Sequence, residues 1–238
     1  MIVAIENLRF RWSPDGADIL NIRQLAVAAG ERVFIQGASG SGKSTLLGLL
    51  AGVTTASQGS VGVLGQDLGQ MSNIRRDHFR ADHIGYLFQM FNLLPYLSVV
   101  DNVTLSCRFS RRRKSRVLQR ASRLEAEARR LLEQLDLLHP DVLTRPTYTL
   151  SVGQQQRVAA ARALMGAPEL IIADEPTSAL DADRREAFIQ LLFQECEATG
   201  ATLIFVSHES ALAPLFDRSL DLTDISLTCR AEPIGETA

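Results

Sequence analysis

Arg32-Val33-Phe34-Ile35-Gln36-Gly37-Ala38-Ser39-Gly40-Ser41-Gly42-Lys43-Ser44-Thr45 decides the reading of the fold. The β-branched and aromatic run 32–36 predicts a buried strand, and the apolar run after Thr45 predicts a helix. Between them, Gly37, Ala38, Ser39, Gly40, Ser41, Gly42, Lys43, Ser44 and Thr45 match the phosphate-loop spacing G-x-x-x-x-G-K-[ST] in its required strand-to-helix context. Glycines let consecutive backbone N–H groups face inward around β- and γ-phosphates. Lys43 adds a compact charge, and the Ser44 hydroxyl is a ligand for Mg²⁺. Only Lys43 and Lys114 are lysines in a chain otherwise rich in arginine, so lysine stands where a narrow point charge fits among phosphates.

Working outward, further apolar runs at 84–88, 170–173 and 202–206 read as buried strands alternating with helical patterns. This is the pattern of a mostly parallel α/β sheet. The first residues, 59–64 and the end at 220–228 read as strands of a more antiparallel layer. Between Phe91 and Leu164 the strand signal disappears, and 115–138 places Leu124, Ala128, Leu131, Leu132 and Leu135 at helical spacing. One domain is expected over 1–238: an α/β core of 1–90 and 165–238, with a helical subdomain at 91–164.

The run Leu170-Ile171-Ile172-Ala173-Asp174-Glu175 is an apolar strand ending in two carboxylates. Beside a phosphate loop, Asp174 is the expected Mg²⁺ ligand and Glu175 the base that polarises an attacking water. Leu150-Ser151-Val152-Gly153-Gln154 is phosphate-binding equipment of a second kind. Ser151 can cap the helix that follows, and Gly153 lets backbone approach an anion at the positive helix end.

Composition narrows the classes. Twenty-five basic residues against twenty-seven acidic ones give a net charge of −2, so no global basic field points to nucleic acid. Cys107, Cys196 and Cys229 are widely spaced and odd in number, which fits neither a disulfide framework nor a zinc site, and they read as reduced packing thiols. No run approaches the roughly 20 apolar residues of a membrane-spanning helix, and the N-terminus lacks the basic region of a signal peptide. Any membrane role must come through a partner.

A phosphate loop and Leu150-Ser151-Val152-Gly153-Gln154 in one chain resemble the ATP-binding-cassette (ABC) ATPases. There the second segment closes over ATP held by the phosphate loop of another subunit. The resemblance spans the chain and implies a homodimer sandwiching ATP and Mg²⁺, with Ser151, Gly153 and Gln154 completing the site. It implies further roles: Gln89 as a Mg²⁺ or γ-phosphate sensor and metal ligand, His208 as a γ-phosphate contact, Asp181 at the dimer seam, and Trp12 stacked on adenine, with Phe10 as the fallback. His78, His83 and His139 lack such context and read as surface residues.

Val152 departs from the family, which has Gly there. Valine is poor at positive φ, so a negative φ and near-normal turnover are expected. The segment Phe88-Gln89-Met90-Phe91-Asn92-Leu93-Leu94-Pro95-Tyr96-Leu97-Ser98-Val99-Val100-Asp101-Asn102-Val103 resembles the lipoprotein-release, macrolide-export and cell-division subgroup. By that resemblance it receives the coupling helix of an integral membrane permease, with Phe91, Leu93, Leu94 and Tyr96 as contacts. The chain would then lie peripherally on the cytoplasmic face of the inner membrane. The basic run Arg111-Arg112-Arg113-Lys114, continued at Arg116, reads as a solvated loop or helix start, with contact to anionic lipid or an acidic permease segment as the alternative. Rival readings are a regulatory cassette controlling a periplasmic activity and an importer cassette.

Overall fold

The computed structural model describes residues 1–137, 139–178, 180 and 182–227. In chain order the elements are β1 (Val3–Phe10), β2 (Leu20–Val27), β3 (Arg32–Gln36), α1 (Lys43–Leu50), β4 (Gln58–Val63), β5 (Gln66–Asp67), α2 (Asn73–His83), β6 (Ile84–Leu87), α3 (Val99–Phe109), α4 (Arg111–Arg120), α5 (Leu124–Gln134), α6 (Pro140–Leu143), α7 (Val152–Leu164), β7 (Leu170–Asp174), α8 (Ala182–Thr199), β8 (Thr202–Val206), β9 (Arg218–Asp221) and α9 (Leu222–Ile225). They form two sheets. One is parallel throughout, in the order β6-β7-β8-β3-β9; the other is antiparallel, in the order β2-β1-β4-β5.

The α/β class with a parallel core and an antiparallel layer is therefore as the sequence predicts. The central parallel strands β3, β7 and β8 are apolar on both faces, and their period-2 alternation divides the interior in two. Phe34, Ile171, Ala173, Leu203 and Phe205 face a core shared with helices α3, α5, α7 and α8. Their sequence neighbours Val33, Ile35, Leu170, Ile172, Ile204 and Val206 face a second core, shared with α1 and the antiparallel sheet.

The structure refines or corrects several expectations. Among the described residues, 220–227 add no strand to the antiparallel layer beyond an isolated bridge between Ser226 and Ile22: β9 pairs in parallel with β3, and residues 222–225 are helical. The Asp221 carboxylate accepts hydrogen bonds from the Thr223 N–H (2.8 Å) and hydroxyl (2.6 Å), which starts that turn. Within 115–138 the chain is helical as its spacing predicts, in two pieces, since extended backbone at Ala121 and Arg123 separates α4 from α5. The basic run is a helix start, as expected, but it is not wholly solvated. Arg113 is 2% exposed, and its guanidinium donates to the carbonyls of Ala163 (3.4 Å), Met165 (3.3 Å) and Ile84.

Those carbonyls end α7 and begin β6, so Arg113 pins the helical layer to the sheet. Gly85 makes the approach possible, since a Cβ there would lie 2.3 Å from the Ala163 carbonyl oxygen. Arg112 and Arg116 converge on Glu169 at 2.6 Å each, and the imidazole of His83 lies 3.1 Å from the same carboxylate. His83 is thus a partly buried member of an ion cluster and not a free surface residue. Burial pushes the Glu169 carboxyl up, but hydrogen bonds from His83 and Arg112 and the charge of Arg116 outweigh it and hold it well below the usual range. Cys107 and Cys196 are buried packing thiols, and Cys229 lies outside the described residues.

Candidate active site

The loop 37–45 leaves β3 and enters α1, whose first residue is Lys43. Gly42 sits at φ 97°, and a Cβ there would lie 2.8 Å from Leu20 Cδ2, so the loop requires glycine both for its angle and for its contact with β2. Lys43 Nζ is 8% exposed and donates to the carbonyls of Gly37 (2.7 Å) and Ala38 (2.9 Å), curling the loop around its own cation. It also lies 3.9 Å from Glu175 Oε1.

Strand β7 delivers Asp174 and Glu175 to the same end of the sheet, between β6 and β8. Asp174 hydrogen-bonds Ser44; burial raises its carboxyl pKa most, the Ser44 bond opposes this, and the negative charge of Glu175 adds to the rise. Two neighbouring carboxylates and a hydroxyl in a partly desolvated place form a hard oxygen set that a divalent cation relieves, so Ser44 and Asp174 fit Mg²⁺. Glu175 stands at φ 44°, an angle that few non-glycine residues adopt, held by its N–H donating to the Val206 carbonyl at 2.9 Å. His208 follows β8, and its Nδ1 lies 3.2 Å from Glu175 Oε2. Lys43, Ser44, Asp174, Glu175 and His208 therefore form one connected group.

Gln89 is exposed in the turn after β6, on the side of the sheet where β7 ends, because Leu87 pairs with Ala173. Trp12 is 67% exposed, its ring 4.8 Å edge-on from the buried Phe10, so a core role falls to Phe10 and not to Trp12. Its backbone neighbourhood touches the phosphate loop: Phe10 O accepts from the N–H of Ile19, and the Ile19 carbonyl lies 3.3 Å from the Cβ position of Gly42.

The segment Leu150-Ser151-Val152-Gly153-Gln154 lies elsewhere. Ser151 caps α7 in a reciprocal box, its hydroxyl accepting from the Gln154 N–H (3.3 Å) while Gln154 Oε1 accepts from the Ser151 N–H (3.0 Å). Val152 opens the helix, is not among the positive-φ residues, and is 48% exposed, as its side chain requires. Ser151, Val152, Gly153 and Gln154 line a cavity of about 430 Å³ with Arg184 and Phe188, and no residue of 37–45 lines it. Asp181, expected at a dimer seam, lies outside the described residues.

Two residues escaped sequence reasoning. The side-chain amide of Gln156 borders that cavity, is buried, and has neither its nitrogen nor its oxygen paired. Arg162, in the last turn of α7, donates at 2.6 Å to the carbonyls of Phe91 and Asn92, fixing two successive left-handed residues just beyond Gln89. A basic residue in a last helical turn was the available signal.

A groove of about 520 Å³ opens beside this loop, lined by Arg80, Tyr86, Phe88, Phe109 and Arg162 among others. Leu93 is half-buried and packs against the helical core, whereas Met90, Tyr96 and Phe109 are exposed by 70% or more. Of the residues expected as apolar contacts, Phe91, Leu93 and Leu94 are half-buried and Tyr96 is exposed, and Phe88, Met90 and Phe109 are further exposed apolar side chains nearby.

The sequence profile of the ABC transporter family matches residues 20–178. The chain belongs to the ABC transporter family. This ABC cassette is an ATP-binding protein and an ATPase. It is 41% identical over 208 residues to an uncharacterized ABC transporter ATP-binding protein, YbbA, of Escherichia coli K12, covering 87% of this chain and 86% of that one. It is 38% identical over 213 residues to the lipoprotein-releasing system ATP-binding protein LolD of Shewanella denitrificans, covering 88% of each. The cassette superposes with a TM-score of 0.79 and 31% identity on a solved dimeric ATP-binding cassette in a post-hydrolysis state bound to ADP and Pi, covering 92% of this chain and 94% of that one. Among its described residues no helix is long and apolar enough to cross a membrane.

Proposed function

We propose that the chain is the nucleotide-binding subunit of an export, extrusion or lipoprotein-release system, working as a homodimer that closes over two ATP. The observation that carries this is the separation of two phosphate-binding halves within one subunit. Lys43, Ser44, Asp174, Glu175 and His208 form one group, and Ser151 to Gln154 line a cavity that includes none of them. Two copies facing head to tail join each half to its complement.

In that arrangement Lys43 and the N–H groups of residues 37–45 bind the β- and γ-phosphates, and Trp12 stacks on the adenine. Ser44 and Asp174 would hold Mg²⁺ with Gln89, and the ion supplies neutralisation of phosphate charge. Glu175 takes the proton of the attacking water, His208 orients Glu175 and reaches the γ-phosphate, and the N-terminus of α7 in the other subunit closes the site around Ser151 and Gly153. Asp181 belongs to the seam on this reading.

The groove at Phe88, with Phe109 on its rim and the exposed Met90 and Tyr96 on the adjoining loop, is the seat for a permease's cytoplasmic segment, which makes the chain peripheral to the inner membrane. The likeness to LolD supports the lipoprotein-release class. Glu175→Gln tests the mechanism: turnover falls by roughly a hundredfold or more while ATP binding persists, and light scattering finds an ATP-dependent dimer. A monomer at saturating ATP and Mg²⁺, with detergent-solubilised membranes added, would sink the proposal.

A further inference from the structure

The basic run at the start of α4 distributes its side chains over three faces, and only one of them is unexplained. Arg113 and Val117 point into the protein, each 2% exposed. Arg112 and Arg116 are committed to Glu169. Arg111, Lys114 and Leu118, at helical spacings of three and four, remain on the outer face, and all three are exposed.

That face borders a cavity of about 790 Å³ whose lining includes Arg108, Arg111, Lys114 and His78 against one acid, Asp82. Asp82 already accepts a hydrogen bond from the Ser110 hydroxyl. The Arg108 guanidinium has only a long contact with Asp101, at 3.4 Å. Lys114 is the one lysine of the chain outside the phosphate loop. Phe109, 70% exposed, lines both this cavity and the neighbouring groove, and Leu118 is 48% exposed on the same outer face. Cations interleaved with exposed apolar side chains on a chain of net charge −2 make a local device, not a global field.

We infer that Arg108, Arg111 and Lys114, with Phe109 and Leu118 beside them, form a docking surface for the phosphate headgroups of anionic membrane lipid. The placement rests on the reading of the adjoining groove as the permease seat, since a permease held there brings the Phe109 rim to the bilayer. The headgroup phosphates take the cations, and the two apolar side chains enter the interface between headgroup and acyl chain. The surface would hold the cassette against the bilayer through cycles of opening and closing.

The test uses the purified chain without any permease. Sedimentation with vesicles of phosphatidylcholine containing phosphatidylglycerol should exceed sedimentation with phosphatidylcholine alone, and should decline steeply with added salt. Each cation removed lowers partitioning about fivefold, so Arg111→Gln with Lys114→Gln lowers it roughly twenty-five-fold. ATP turnover in the absence of vesicles stays at the wild-type level, which shows that the double variant is folded. Equal partitioning on both vesicle types, or an unaffected double variant, overturns the inference. Loss of permease capture in detergent by the double variant, without vesicle binding by the wild type, assigns the face to an acidic permease segment and overturns it equally. Failure of the wild type to capture any permease while vesicle binding follows the predicted pattern counts against the groove reading alone.

Discussion

At the scale of single residues, Val152 shows how a departure from a family pattern becomes a question of angle. The position opens α7 with an ordinary helical backbone, so it does not need glycine, and its isopropyl group stands half in solvent. Val152→Gly should therefore change steady-state ATPase by less than about threefold, since the gain in backbone freedom is offset by the entropy glycine loses on ordering. A rise of orders of magnitude would show that the side chain obstructs closure. Glu175 is the reverse case. The sequence identifies the carboxylate at the end of a strand, but nothing in the sequence announces its φ of 44°, which arises because the Val206 carbonyl captures its N–H. Residue type was legible there and strain was not.

At the scale of elements, the central parallel strands β3, β7 and β8 were legible because each is an apolar run buried on both faces, and β3 and β8 fall where the sequence places them, whereas the polar edge strand β9 was not legible. The basic run was misjudged because four adjacent charges look uniform in one dimension. A helix turns them to different faces, and burial of Arg113 is licensed only by carbonyls 29 to 52 residues away. Those carbonyls define a test. Arg113→Met should cost about 3 kcal/mol of stability in chemical denaturation, because the ends of α7 and β6 lose a buried donor, while Arg113→Lys recovers only part.

The neighbouring cluster predicts a pH dependence. The folded pKa of Glu169 lies below its unfolded value of 4.5, so its contribution is complete above that pH and is lost as pH falls toward the folded value. Glu169→Gln should lower the melting temperature at neutral pH, and the gap to the wild type should narrow steadily below about pH 4.5. A gap that is constant between pH 7 and 3.5 would mean that the cluster contributes nothing through charge.

At the scale of the whole molecule, the phosphate loop, the acidic strand end and the segment from Leu150 to Gln154 were each readable from short motifs, because each is a local backbone device. Their arrangement was not readable, since it depends on β7 lying between β6 and β8 and on the start of α7 lining a separate cavity. A site divided between subunits makes a prediction that a self-contained site does not. Lys43→Ala removes the phosphate cation from one half, and Ser151→Arg blocks the other, so either variant alone forms only dead homodimers. Mixed in equal amounts, they form heterodimers in which the intact Lys43 of one chain meets the intact Ser151 of the other. Each heterodimer then holds one complete site and one doubly broken site. With random pairing, half of the dimers are mixed, and ATPase should recover to about a quarter of the wild-type rate if the sites turn over independently. Strong coupling between sites pulls the recovery below that figure, but any recovery above the sum of the two variants requires a shared site. Specific activity should also rise with total protein until dimerisation saturates. Mixtures that never exceed the added rates of the separate variants, at concentrations where light scattering finds dimers, would place catalysis within one subunit and leave the cavity at Ser151 without a phosphate to close upon.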